Sequence, residues 1–353
     1  MTVREQFGLN NERRNDTPVL VLSQDYELFF GASGTIERCL IEPCDALLAF
    51  AREHNARITF FVDAGMLLAM RRHASGSGRM ARMYSTVQGH IESLEQAGHE
   101  IGLHVHPHWE DTRWTPEGWD FSRTRYQLRE FSDDDVVNIM RSYSHTLGEL
   151  LNGPVTSYRA GGFCVEPFGR IRDALRDLGI TIDSSVVPGA KLQDAAKGFD
   201  FSKSPDDCWW RFDSSPTTPS AGGEFCEVAI TPLVLSLSHY WRRLADRLKP
   251  GPSAAVVGDG VSKAIGKREI ARRLLGAGRV SELSLDAAKA HHLGSHRILS
   301  QNRNVWHVMG HPKLLGADSL TYLAHFIGAL GVDTTMSVSG FADFARKGST
   351  LAA

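Results

Sequence analysis

Three histidines stand at alternate positions in Glu100-Ile-Gly-Leu-His-Val-His-Pro-His-Trp109, directly after a short apolar run. Side chains two apart on an extended chain share a face, so His104, His106 and His108 point one way while the chain stays extended. Neutral imidazoles gathered like this suit a borderline metal such as zinc. Acids that could complete such a site lie upstream, in Ser23-Gln-Asp25-Tyr-Glu27. Asp25 and Glu27 are also two apart, and a buried pair of like charges is costly unless a cation or proton sits between them. Arg159-Ala-Gly-Gly-Phe163, Asp183-Ser-Ser185 and His307-Val-Met-Gly-His311 each follow a run of strand-forming residues. Together these are the residue types of metal-assisted hydrolysis: metal ligands, a separate carboxylate and a histidine able to move a proton.

The elements that must position these residues follow from the apolar pattern. Residues 18–23 form a continuous apolar run that suits a strand buried on both faces, as parallel sheets require. Residues 57–62 form a second such strand, and Asp63 after it is placed to cap a helix. Helical spacing over 43–54 and 86–97 separates these strands from a third at 100–105. A helix over 134–151 precedes a strand near 155–159. A helix over 166–178 then ends at Gly179, a natural terminator, before a strand at 180–183. Strands at 225–230 and 305–309 follow. The alternation implies a parallel sheet closed into a barrel, with functional groups at the carboxyl ends of its strands. The stretch 237–300, rich in Arg, Ala and Gly, breaks the rhythm and reads as a helical insertion or cap. Within it, 256–267 has the glycines and lysine of a phosphate loop but the wrong spacing, with Arg268 where a magnesium-binding Ser or Thr belongs.

At 353 residues and a formal charge of −2, the chain gives no electrostatic argument for a nucleic-acid or anionic-membrane partner. Cys39, Cys44, Cys164, Cys208 and Cys226 are scattered and form no paired motif, which argues against a disulfide framework or an all-cysteine structural zinc site. Residues 1–17 read as a flexible leader without a signal peptide. No run approaches the roughly 20 apolar residues of a membrane span. The expectation is one domain over 18–345, cytoplasmic, of unknown oligomeric state.

In order along the chain, Asp25-Tyr-Glu27, Ile58-Thr-Phe-Phe-Val62, His104-Val-His-Pro-His108, Arg159-Ala-Gly-Gly-Phe163, Gly179-Ile-Thr-Ile-Asp-Ser-Ser185 and His311 resemble the motifs of the polysaccharide deacetylase (NodB-homology) family, in its Asp-x-Glu subset. That resemblance implies a deformed (β/α) barrel of about seven parallel strands, and a divalent metal, zinc first and cobalt, nickel or iron as alternatives. It also implies roles: Asp25 as general base, His311 as general acid, Arg159 holding Asp25, and Asp183 orienting a catalytic group. Tyr26 stands where the commonest form of the first motif has a second aspartate, so the metal carboxylate is assigned to Glu27, with Asp25 as the alternative.

The histidine pair is less settled. Along a straight strand His104 and His108 lie about 13 Å apart and His104 and His106 about 6.6 Å apart, so spacing favours the nearer pair. The family pattern places the ligands at His104 and His108, with His106 held in reserve. Pro107 could start the turn that brings His108 back. Gly161 and Gly162 allow a ligand close to the backbone, and Trp109 and Phe163, with Trp114, Trp119 and Trp306, offer rings to a sugar. The implied activity is removal of an N-acetyl group from an amino sugar or glycoconjugate. Two alternatives are hydrolysis of another non-peptide C–N bond and a carbohydrate-binding relative whose catalysis has decayed.

Overall fold

The computed structural model describes residues 18–122, 124–193, 198–248, 255–262, 279–332 and 334–350, so the leader 1–17 lies outside the described residues. The first apolar run forms β1 (Val19–Tyr26), buried along all but its first residue. β2 (Ile58–Asp63) and β3 (Glu100–Val105) follow it, then β4 (Ser157–Ala160) and β5 (Ile182–Asp183). The later strands are β6 (Trp209–Phe212), β7 (Phe225–Val228), β8 (Val305–Val308) and β9 (Thr334–Met336). Their order in the sheet is β6-β7-β5-β4-β3-β2-β1-β8, with β9 also against β1. All of these pairings are parallel except β6 with β7.

The sheet curls until its ends meet. Beyond β7 the chain reaches Thr231, whose amide donates to the His307 carbonyl at 3.1 Å while its hydroxyl accepts from the His307 amide at 2.8 Å. These bonds bring the extension of β7 beside β8 and close a deformed (β/α) barrel of seven parallel strands, β1 to β5, β7 and β8. Parallel strands need long return connections, which helices supply.

Local chemistry fixes those helices. α1 (Glu42–Glu53) returns the chain to β2. Asp63 ends β2 and caps α2 (Ala64–Ala74) by accepting from the Met66 amide. Ser77 caps α3 (Gly78–Gln96) in the same way. α4 (Asp133–Gly148) follows β3, and α5 (Gly169–Asp177) stops at Gly179, whose φ of +72° suits a residue without Cβ.

The described residues of 237–300 include helix, with His296–Leu299 a short one, and also strand. Among its described residues α6 (Leu237–Leu248) is a helix, but Arg279–Glu282 is a strand paired antiparallel with Pro232–Leu235. The chain then stays extended beside β8: Leu283 donates to Thr231, Met309 to Leu283, and Leu285 to Met309. Leu283 and Leu285 are both buried, while the residues between and after them keep polar side chains. This segment therefore builds the rim of the barrel. The described part of the phosphate-loop lookalike is also tied in, by Val261 bonding to Gly31 and Ala32, while 263–267 lie outside the described residues. No helix among the described residues is long and apolar enough to cross a membrane.

Candidate active site

The carboxyl ends of β1, β3, β4 and β8 converge. Asp25, near the end of β1, and Glu27, just beyond it, are both buried, as are His104 on β3 and His106 after it. Lys313, in the turn after β8, is buried with them, while the His311 side chain keeps 18 % of its exposure and is the most open member of the group.

His104 Nδ1 lies 2.9 Å from the Arg159 carbonyl, which can only accept, so that nitrogen carries the hydrogen. Its Nε2 faces Glu27 Oε2 at 3.5 Å and Asp25 Oδ2 at 3.8 Å, without a hydrogen bond. A backbone acceptor that fixes the tautomer and aims the other nitrogen is the usual support of a metal-ligating histidine. His106 Nε2 approaches Glu27 Oε2 to 2.7 Å. Glu27, His104 and His106 each offer a donor atom within 4.8 Å of the others. One carboxylate oxygen and two imidazole nitrogens, aimed together in a buried space, fit a divalent cation of the zinc class.

The charges around this group are unequal. Burial alone would push the Glu27 carboxyl up, but Lys313 and the two histidines outweigh it and hold it well below the usual range. Lys313 Nζ donates to Glu27 Oε1 at 3.0 Å and to the Leu28 carbonyl at 2.6 Å, between the rings of Phe29 and Phe30. Burial lowers His106 to about 4 despite Glu27. Burial would also lower His104, yet Asp25, Glu27 and Asp63 raise it. Asp63 is itself raised to about 7 by burial, and it accepts from the Trp109 indole at 2.5 Å.

Asp25 is anchored at one oxygen and open at the other. Arg159 donates from one terminal nitrogen to Asp25 Oδ1 at 2.7 Å, from the other to the Ser23 and Ser184 hydroxyls, and from Nε to the Ser184 carbonyl. Asp25 Oδ2 faces His104 Nε2 and His311 Nε2, each at 3.8 Å. His311 Nδ1 sits 3.1 Å from Asp286 Oδ2, and the His311 amide donates to Asp286 Oδ1. Burial would lower His311, but Asp286, Asp25 and Glu27 raise it to about 9.

Several predicted residues stand elsewhere. His108 lies in the short turn Pro107–Glu110, outside the three-donor group, with its ring against Phe30 and stacked on Tyr126. The turn does begin at Pro107, but it carries this ring towards those aromatics while His106 stays at the end of β3. Trp109 is 1 % exposed and its N–H is taken by Asp63, so it presents no ring face to a sugar. Trp306 is core, packed against Phe326. A Cβ on Gly161 would come within 2.5 Å of His106 Nδ1, and one on Gly162 within 2.7 Å of the Tyr126 hydroxyl. The two glycines therefore make room for protein side chains at the site. Phe163 is half-buried against Phe199. Asp183 lies beside Glu227: burial raises both carboxyls, and the charge of Asp183 raises Glu227 further, while the Ser185 hydroxyl donates to Asp183 and the Val186 amide to Glu227. His307 is held neutral by burial and by Arg159, against the Ser23 hydroxyl.

Sequence reasoning missed Lys313, Asp286 and Glu227. Asp286 carried a signal, because Glu282-Leu-Ser-Leu-Asp286 alternates with the period of a strand. Lys313, two residues after His311, carried none, since an isolated lysine is most often on the surface. None of the five cysteines is in a disulfide.

No family model and no curated protein sequence matches this chain. Among solved structures, it is similar to a protein from Mycobacterium smegmatis assigned to the polysaccharide deacetylases, at 15 % identity and a TM-score of 0.46, over 96 % of this chain and 92 % of that one. It is also similar to a family 4 carbohydrate esterase from Streptomyces lividans solved with acetate, at 9 % identity and a TM-score of 0.37, over 92 % of each chain. A third is a family 4 pseudoenzyme from Bacillus anthracis, at 10 % identity and a TM-score of 0.37, over 92 % of this chain and 64 % of that one.

Proposed function

We propose that this chain is a metal-dependent hydrolase that removes an N-acetyl group from an amino sugar or glycoconjugate. The observation that carries the reading is the meeting of two differently supported carboxylates and three imidazoles at one end of the barrel. Glu27, His104 and His106 would hold the cation, which supplies Lewis acidity towards water and the amide oxygen. Asp25 Oδ2 accepts the proton of the attacking water, while Arg159 keeps Oδ1 occupied and the carboxylate oriented. His311, across from Asp25 and charged at neutral pH, donates to the departing amine, which leaves poorly without a proton. Asp286 fixes the ring so that Nε2 faces the site. The sugar as substrate rests on the motif resemblance, and the bond type on this acid–base pair.

The test combines acetate release from N-acetylated amino sugars with metal analysis. Asp25→Asn is expected to keep its bound metal and lose about 10²–10⁴-fold in turnover, the usual contribution of a general base. Full activity in that variant removes Asp25 as base. A second reading keeps these residues and changes the bond to another non-peptide amide. Ammonia or ring opening in place of acetate would select it.

A further inference from the structure

A second group of imidazoles lies apart from the barrel mouth and takes no part in that chemistry. His239 sits in the first turn of α6, and His291 and His292 in the turn Ala290–His292. His239 is buried and the other two are half-buried. Each offers a ring nitrogen within 4.8 Å of the others, and His292 Nε2 lies 3.2 Å from His239 Nδ1. The rings of His291 and His292 pack at 4.1 Å between centroids, and those of His239 and His292 at 5.3 Å.

We propose that His239, His291 and His292 form a second, structural metal site for a divalent ion that prefers imidazole nitrogen, of the zinc, nickel or copper class. Its three donors are all nitrogen, unlike the mixed oxygen and nitrogen set at Glu27, and a donor set without oxygen excludes the hard ions magnesium and calcium. Lys289, whose charge acts on His239, is itself ion-paired with Glu282.

The site also has a structural consequence. The Lys289 and Ala290 amides both donate to the Asp286 carbonyl, so the turn bearing His291 and His292 is continuous with the residue that orients His311. An ion bridging that turn to α6 would brace the rim of the barrel from outside.

The experiment uses the full chain without a histidine tag, stripped with a chelator, dialysed against zinc and measured for metal content and melting temperature. The wild type is expected to retain two ions, His291→Gln one and His104→Ala one. Zinc is expected to raise the melting temperature of His104→Ala but to lose that effect when His291→Gln is added. Far-UV circular dichroism establishes that each variant is folded, and His239→Gln replaces His291→Gln if the latter is not. A wild type that retains one ion, kept in His104→Ala and lost in His291→Gln, supports this site and refutes the catalytic one. Equal metal content in the wild type and His291→Gln, or zinc protection that survives the change, overturns the proposal.

Discussion

Replacing Asp286 by Asn removes the charge facing His311 Nδ1 while nearly preserving the shape of the side chain. His311 is raised from its ordinary 6.5 to about 9, against a burial effect that alone would lower it. That gap corresponds to about 3.4 kcal/mol at roughly 1.36 kcal/mol per pH unit. Because the side chain keeps 18 % exposure, this is an upper bound. The stabilisation from a raised histidine is complete below the unfolded pKa of 6.5 and is lost as pH rises through about 9. Asp286 is the largest of the three charges that raise His311, and an opposite charge this close is worth about 1–3 pH units. In metal-stripped Asp286→Asn, His311 is therefore expected to titrate about 1–3 pH units lower by ring-nitrogen NMR. Denaturant melts should show the variant destabilised by about 1–4 kcal/mol at pH 6, with the difference shrinking by pH 10. An unmoved His311 midpoint, or an equal penalty at both pH values, would refute the reasoning.

Four further substitutions test the supports of the site. His106→Ala is expected to weaken zinc binding at the Glu27 site by more than about 100-fold, whereas His108→Ala weakens it by less than about 10-fold, as read by competition with a chromophoric chelator. The reverse order would restore His108 as the ligand. Gly161→Ala places a methyl 2.5 Å from His106 Nδ1, and is expected to cost about 1–3 kcal/mol by denaturant melt and to weaken zinc binding with it. Arg159→Met leaves Asp25 buried without its counter-charge and is expected to cost about 3–5 kcal/mol. A loss under about 1 kcal/mol would mean that Asp25 finds another partner.

The parts of this fold that could be read from sequence are those set by local period. β1 and β2 show themselves through mainly apolar stretches, since strands buried on both faces need little polar alternation, and β3 through the short apolar run before its histidines. Gly179 announces the end of α5 because its backbone conformation excludes most other residues. Asp63 marks the start of α2, but the extent of that helix escaped notice because Ala64 to Met70 are all buried, so no polar face marks its turns. The extended rim at 283–287 escaped because the composition of 237–300 suggested a helix, and pairing with Thr231 and Met309 outweighed it. His106 and His108 could not be separated by spacing and resemblance. The direction of the turn at Pro107 depends on Phe30 and Tyr126, which are remote in sequence.

Asp25 and Glu27 stand two apart at the carboxyl end of β1, yet tertiary partners give them different work. Arg159 neutralises Asp25 at a single oxygen through a planar guanidinium that is itself held by three other acceptors, so that carboxylate is fixed but keeps Oδ2 free. Glu27 meets a point charge instead: Lys313 takes Oε1, and Oε2 is left among His104 and His106. An oxygen between two imidazole nitrogens is suited to share a cation, whereas an oxygen between His104 and His311 is suited to exchange a proton. Exchanging Lys313 for Met would remove the ammonium that occupies Oε1 and leave Glu27 able to turn. Metal affinity should fall with it while Arg159 still anchors Asp25. If zinc binding in Lys313→Met matched the wild type, the division of roles between these two acids would lose its physical basis.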